Sequence, residues 1–570
     1  MPADTLRINN QAVKQNTYDA IVVGSGISGG WAAKELCEKG LKTLLLERGR
    51  NVEHIKDYPT ATMAPWELAH RGRMTSQMNK EQHIQVRGFC NETNRHFFVN
   101  DLEHPYTQVK PFDWIRGYHV GGRSLMWGRQ CYRWSDLDFE ANAKDGNGVD
   151  WPIRYKELAP WYSYVEKFVG ISGSAEGLPQ LPDGEFLPPM EMNCLEKHIA
   201  ANIHSHFSDG RRMIIGRVAN LTKGLHGRGP CQFRNMCDRG CPFTGYFSSN
   251  GATLPAAKST GNLTLRPFSI VREVIYDKDT RRARGIRIID AETMKTEEYY
   301  AKVIFLNAST IGTTSILMQS VSEAAPNGLG NDSDQLGRNL MDHHYHVGAS
   351  ASYDGFEDSY TFGRRANGIY IPRFRNISAT TRQKDYVRGF GYQGGAYRGR
   401  VNDLEGIGES LKEKLTEAGT WGMWLGGWGE HLPHPDNRMT LSRERKDKWG
   451  LPLVDIDCKW RDNELAMRTD MMNSAAEMLD AAGLKNINTF NDPSANPGLC
   501  IHEMGTARMG NNPKKSVLNA HNQLWEAPNL FVTDGACMSS SANQNPSITY
   551  MALTARAAAF AVDELKKGNL

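Results

Sequence analysis

The densest chemistry in this 570-residue chain is a run of three cysteines, Cys231, Cys237 and Cys241, in GPCQFRNMCDRGCPFTGYFSSN, a CxxxxxCxxxC spacing closed by Pro242. Thiolates this close together, among Gly, Pro and polar residues, suit a soft metal. Zinc wants a fourth ligand, for which His226 is available upstream without a familiar spacing. A cuboidal [3Fe-4S] cluster needs three thiolates and no more. Reduced structural thiols need no metal at all, and Arg234 occupies the position where a fourth cysteine would complete a longer array. The other seven cysteines stand singly in apolar or mixed segments, as buried free thiols do.

A second concentration of ligating side chains is His343, His344 and His346 in MDHHYH. Read as a strand, this segment puts His344 and His346 on one face and His343 on the other, so the three do not converge and no metal is expected there. Trp421, Trp424 and Trp428 in TWGMWLGGWGEH suit either sugar-stacking platforms or the large aromatics of a core strand.

A nucleotide site is written at the front of the chain. Tyr18 to Val23 (YDAIVV) reads as a strand, Gly24-Ser25-Gly26-Ile27-Ser28-Gly29 as a glycine turn, the stretch to Lys39 as a helix closed by Gly40, and Leu41 to Leu46 as a second strand ending in Glu47. Gly24 makes the tight turn, Gly26 admits a pyrophosphate, Gly29 lets helix and strand approach, and the helix N-terminus attracts the anion. Glu47 stands where an acceptor for ribose hydroxyls belongs. The motif by itself does not separate NAD from FAD.

Further on come GYHVGGRSLMWG (117–128), HEMGTARMG (502–510), Asp534-Gly535 and NPSIT (545–549). Taken in order with the front motif, and with WPIRYKELAPWYSYVE, VIFLNASTIGTTSILMQS, LGRNLMDH and GEHLPHPDNRMTLS between them, these resemble the signatures of the glucose-methanol-choline (GMC) oxidoreductases, flavoproteins that oxidise alcohols and sugars. The resemblance spans the whole chain. It implies FAD as cofactor, with Gly24, Gly26, Gly29 and Glu47 joined by Gly121, Gly122 and Ser124 along the flavin, Asp534 and Gly535 at the pyrophosphate or ribityl chain, and the backbone of Val271 beside the adenine. Relatives that attach FAD covalently carry a histidine where this chain has Met126, so a dissociable flavin is expected, with His119 a remote attachment point.

The same resemblance implies the catalytic pair. Oxidising a secondary alcohol needs a base for the hydroxyl proton while hydride leaves the carbon, and a neutral imidazole suits that task. Carried over by position, the base is His502 and the residue orienting the substrate hydroxyl is Asn545; Glu503 is a supporting group. At the cysteines the chain is similar to the flavin subunits of bacterial sugar dehydrogenases, most of all the glucoside 3-dehydrogenase type, whose [3Fe-4S] cluster passes electrons outward singly. This implies a dehydrogenase that oxidises a secondary hydroxyl, C3 of glucosides, to a keto sugar. It also implies two partners, a small subunit bearing a twin-arginine signal and a cytochrome c acceptor. Co-export of that kind would place the chain in the periplasm although MPADTLRINNQAVKQNTYDA has no basic-then-apolar pattern; on its own it would stay in the cytoplasm. Alternatives within the family are a pyranose oxidase-like or gluconate- or keto-gluconate-oxidising enzyme that uses oxygen, with structural cysteines; outside catalysis there is a flavin-binding scaffold.

The expected architecture is α/β, α+β overall: a Rossmann-like FAD domain from residues 1–150, 225–345 and 495–570, carrying the cysteine loop 229–245, and a substrate domain from 151–224 and 346–494 built on a mainly antiparallel sheet. A final helix is expected from Thr549 to Lys567. Composition agrees with a large globular chain, 40% hydrophobic and 23% charged, with 67 basic against 64 acidic residues for a formal charge of +3. That balance gives nucleic acid or an anionic membrane no electrostatic hold, no apolar run approaches a membrane span, and a small neutral substrate is the natural partner.

Overall fold

Ile21, Val22 and Val23 have no polar neighbour in sequence to turn toward water, and a strand of such residues is stable only with both faces covered. In a computed structural model, which describes residues 16–361, 363, 365–400 and 406–570, that is where they lie. The first fifteen residues of the chain, included in the reading of its N-terminus above, fall outside the described residues. Strand Thr17–Val23 is central in a seven-stranded sheet, parallel to Thr43–Leu46 on one side and to Thr296–Leu306 on the other. Leu263–Arg266 extends the parallel run beyond Thr43–Leu46, and Leu530–Val532 pairs parallel with the end of Thr296–Leu306. The start of Thr296–Leu306 instead turns into an antiparallel meander with Arg282–Asp290 and Ser269–Asp277.

Helix Ile27–Glu38 covers this sheet, and the helix Ser547–Lys567 packs on it. Ala552, Ala555, Ala558 and Ala561 keep that second helix thin on its buried side, which lets two helices and the sheet approach closely. The observed start at Ser547 lies two residues before the expected Thr549, directly after Asn545-Pro546, whose ring has no N–H to leave unpaired.

A second sheet is antiparallel throughout, in the order Lys485–Asn491, Val347–Tyr353, Ala418–Gly429, Phe390–Arg400, Ile369–Ile371, Ile214–Ile215. Helices Asp462–Ala481 and Cys194–His206 lie on one face. Met467, Met471, Ala475, Met478 and Leu479 recur at helical spacing and meet Met423, Leu425, Tyr392 and Val347 from the strands in one apolar core. A small third sheet joins Arg438–Lys446 and Pro452–Asp457 to Thr107–Gln108. The whole is a mixed α/β fold, with a Rossmann-like sheet and an antiparallel one. No helix among the described residues is long and apolar enough to cross a membrane.

Alternation settles the tryptophans. Trp421, with Met423 and Leu425, faces the helices and is 1% exposed, its indole N–H donating to the Phe356 carbonyl at 3.1 Å. Trp424 and Trp428 take the opposite face. Register places Gly395 beside Trp424, Gly391 beside Trp428 and Gln393 beside Gly426, so each ring stands next to a bare backbone position on a surface turned toward the first sheet.

Candidate active site

Between the two sheets lies one cavity of about 1930 Å³, lined at one end by Gly24, Gly26, Glu47 and Val271 and at the other by Gln393, Trp424 and Trp428. Small-molecule sites run to roughly 300–1,000 Å³, so this space takes a dinucleotide and a second ligand together.

The glycine turn has the shape a pyrophosphate needs. A Cβ on Gly29 would sit 1.7 Å from the Gly24 carbonyl oxygen, whereas one on Gly26 would meet nothing within 4 Å. Gly26 is also the N-cap of Ile27–Glu38, with no side-chain cap and no acidic residue in the first turn, which leaves backbone N–H groups and the positive end of the helix for an anion. Glu47 is held by Ser25, whose N–H and Oγ–H donate to its carboxylate at 3.1 and 2.6 Å, and its burial raises its pKa. Gly121 (φ 91°) and Gly122 (φ 47°) bend left-handed, Gly122 coming to Gly26, while Ser124 Oγ–H closes the turn on the Gly121 carbonyl at 2.5 Å. Asp534 receives Thr313 Oγ1–H at 2.6 Å and the Ala536 N–H at 3.0 Å; burial pushes its carboxyl up to about 6. Gly535 and Val271 line the same wall. These residues fit FAD: an open helix N-terminus and bare glycine backbone for the pyrophosphate, a buried carboxylate for the ribose hydroxyls, and a left-handed glycine turn beside them. Met126 borders the cavity. His119, the remote attachment point, is turned inward, 1% exposed with Nδ1 beside its neighbour's carbonyl.

His502 and Asn545, expected as a pair, meet: Asn545 Nδ2 is 3.5 Å from His502 Nε2. Gln393, from the antiparallel sheet, donates to Asn545 Oδ1 at 2.6 Å and so fixes which way that amide points. On its other side His502 has a partner that the sequence reading placed elsewhere. His343 Nδ1 lies 2.9 Å from His502 Nδ1, and His343 Nε2 lies 3.0 Å from the Ser541 carbonyl oxygen. A carbonyl can only accept, so Nε2 of His343 carries the proton and its Nδ1 is a lone pair. His502 must then donate from Nδ1, which leaves its Nε2 unprotonated and turned to Asn545 and the cavity. Burial lowers the pKa of both imidazoles, His343 to about 4, so both are neutral near pH 7.

MDHHYH is therefore not a strand: after an isolated bridge from Met341 to Met504, residues 342–345 join no ladder ahead of Val347–Tyr353, the His344 N–H donating to the Gly429 carbonyl at 3.3 Å. Asp342 and His343 divide the work. The Asp342 carboxylate accepts the backbone N–H of Gly498, Cys500 and His502 at 2.7, 3.2 and 2.9 Å, holding a turn in which the β-branched Ile501 sits at φ 67°. Such a residue adopts that conformation only where its surroundings insist on it. Glu503 borders the cavity but is engaged by an ion pair with Arg123 at 2.9 Å, and Arg123 also donates to Ser309 Oγ at 2.8 Å. Sequence reasoning missed His343, Asp342, Gln393 and Arg123. The adjacent Asp-His of LGRNLMDH was the available signal, and treating it as part of a strand hid it.

The cysteine loop borders the same cavity through Cys231 and Cys237. It is pinned to the 58–63 segment: Arg234 donates to the Ala61 carbonyl, Arg239 to that of Met63 at 3.1 Å, and Gly240 lies against the Tyr58 ring. The Gly245 N–H points at Cys241 Sγ, 3.3 Å away. Phe233, Asn235 and Thr244 all have φ between 53° and 55°, an uncommon density of left-handed non-glycine residues. Burial, with Cys237 and Cys241 adding to it, raises the Cys231 thiol pKa. The three thiols do not close around a single ion: among the described residues they do not form a group whose donor atoms all lie within 4.8 Å of one another. His226 stacks on Phe168.

Comparison with known proteins identifies the family. Family models described as GMC oxidoreductase match residues 18–345 and 433–554. The chain is 30% identical over 567 residues to 2-methyl-1,2-propanediol dehydrogenase of Mycolicibacterium austroafricanum, covering 95% of this chain and 94% of that one. It is 24% identical over 578 residues to the fructose dehydrogenase large subunit of Gluconobacter japonicus, covering 96% and 98%. Among solved structures, pyridoxine 4-oxidase from Mesorbium loti superposes with a TM-score of 0.58 at 18% identity, over 95% of this chain and 98% of that one, and so shares the fold. An unprotonated imidazole nitrogen facing the space beside a dinucleotide cradle is thus found on a chain that belongs to the GMC oxidoreductase family, FAD-dependent oxidoreductases acting on the CH–OH groups of alcohols and sugars.

Proposed function

We propose that the chain is a sugar or glycoside dehydrogenase that oxidises a secondary hydroxyl, at C3 of glucosides. The observation that carries this reading is the lone pair on His502 Nε2, aimed beside the Asn545 amide into the cavity that it shares with the dinucleotide cradle. His502 takes the hydroxyl proton; Asn545, clamped by Gln393, donates to the same oxygen and sets its orientation. FAD, when bound, supplies the acceptor for the hydride at N5. Trp424 and Trp428 offer apolar faces for the CH surface of a sugar ring, and their spacing across Gly426 suits more than one ring.

Cys231, Cys237 and Cys241 are the residues that would hold a [3Fe-4S] cluster, a one-electron exit from the flavin site toward a haem acceptor such as a cytochrome c. The loop's position on the wall of the flavin cavity supports that role. A small partner subunit carrying a twin-arginine signal, and hence a periplasmic site of action, belongs to the same reading; the relative named as a large subunit supports a partner of some kind.

The test is an anaerobic absorption spectrum of the purified protein before and after methyl glucoside, with iron quantified on the same sample. About three irons per flavin and bleaching by the glycoside are expected. A flavin spectrum without iron reduces the cysteines to structural thiols and favours an oxygen-using sugar oxidase. Bleaching by a small diol such as 2-methyl-1,2-propanediol, with every sugar inert, refutes the sugar assignment.

A further inference from the structure

We propose that His343, Cys500 and His502 form a binding site for a soft divalent cation of the zinc type, and that its occupancy disarms the catalytic base. One donor atom from each residue lies within 4.8 Å of the others. His343 Nδ1 and His502 Nδ1 are 2.9 Å apart, and Cys500 Sγ is 3.5 Å from His502 Nδ1. Tetrahedral zinc, with bonds of about 2.0–2.1 Å to nitrogen and about 2.3 Å to sulfur, sets its nitrogens roughly 3.3 Å apart and nitrogen from sulfur roughly 3.6 Å. The Cys500–His502 distance therefore already fits, and the two rings need part by only a few tenths of an ångström. The site is built rather than incidental. His343 is held by the Ser541 carbonyl with its Nδ1 lone pair facing inward, and Asp342 fixes the backbone of both Cys500 and His502. Two imidazoles and a thiolate are the donors that select zinc and its soft neighbours over magnesium or calcium. Cys500 and His502 border the cavity, which gives an ion a route to the site, and the fourth position is left for water.

Coordination has a definite chemical consequence. Two metal–nitrogen bonds and one metal–sulfur bond form, and the Cys500 S–H bond breaks with its proton released to solvent. His502 gives up the proton on Nδ1 and, staying neutral, carries one on Nε2 instead. The nitrogen that faced the hydroxyl as an acceptor becomes an N–H donor, and alcohol oxidation stops. The inhibitory half of this proposal rests on His502 being the base; the binding site itself does not.

Cobalt(II) added to the flavin-loaded protein reads the site independently of turnover, because tetrahedral cobalt absorbs at longer wavelengths than flavin. The wild type is expected to take up one cobalt with a tetrahedral, thiolate-bearing spectrum that zinc displaces, and zinc is expected to inhibit flavin reduction by substrate. In Cys500→Ser the spectrum should vanish and the inhibitory constant for zinc rise on the order of tenfold or more, measured relative to that variant's own uninhibited rate. Cys194→Ser, at a free cysteine outside both sites, should alter neither. A cobalt spectrum that survives Cys500→Ser, or that is lost in Cys194→Ser, overturns the assignment. Cobalt bound through Cys500 with turnover undiminished keeps the site but overturns the disarming step, and with it His502 as the base.

Discussion

Replacing His343 tests the tautomer argument most directly. In His343→Leu, the Nδ1–H of His502 loses the acceptor at 2.9 Å, and the Ser541 carbonyl loses its donor at 3.0 Å. A buried donor without a partner costs about 1–3 kcal/mol, a cost that His502 escapes by moving its proton to Nε2, the nitrogen that must be bare for catalysis. At about 1.4 kcal/mol per factor of ten, the rate of flavin reduction by substrate should fall by about 5- to 150-fold. KM should change little, because His343 touches His502 and not the cavity, and bound FAD should be unchanged. His343→Asn is the informative control: its amide oxygen can stand where Nδ1 stood, and it should recover most of the lost rate. The assay is anaerobic stopped-flow bleaching of the flavin across substrate concentrations. A leucine variant that reduces flavin at the wild-type rate refutes the reasoning, and an asparagine variant as slow as the leucine one makes His343 a packing residue only.

Two further measurements address other parts of the argument. Gly29→Ala must force a methyl group into the Gly24 carbonyl, 1.7 Å away, and should unfold the turn and abolish FAD binding; Gly26→Ala meets open space and should change stability by less than about 1 kcal/mol while weakening FAD, as thermal melts and flavin titration of the two would show. His343 also carries a pH signature. Its folded pKa of about 4 lies below the ordinary 6.5, so the unfolded chain binds the extra proton and stability falls as pH drops from 6.5 toward 4. The shift is worth about 3 kcal/mol, and urea melts at both ends of that window should show a loss smaller by this amount in His343→Asn than in the wild type. An equal loss in both proteins would remove His343 from the account.

What the sequence by itself determined was local or motif-borne. The strand, glycine turn, helix and second strand at the front lie within some thirty residues, so apolar run lengths and glycine positions suffice to place them, and the same holds for the closing helix. His502 and Asn545 were legible as neighbours because each sits in a characteristic stretch, and the three cysteines stood out as a cluster because spacing within one loop is a property of the chain. Tertiary structure alone decided who meets whom. His343 and His502 are 159 residues apart, Gln393 and Asn545 are 152, and Arg123 and Glu503 are 380. No periodicity encodes those meetings, since each depends on how the antiparallel sheet docks against the Rossmann-like one. The MDHHYH segment was misjudged for the same reason: its β-like residues are drawn out of any sheet because Asp342 and His343 find buried hydrogen-bond partners in the turn before His502 and at Ser541. A hydrogen bond made in a dry interior outweighs weak local propensity, and in this protein it also decides which nitrogen of the base faces the substrate.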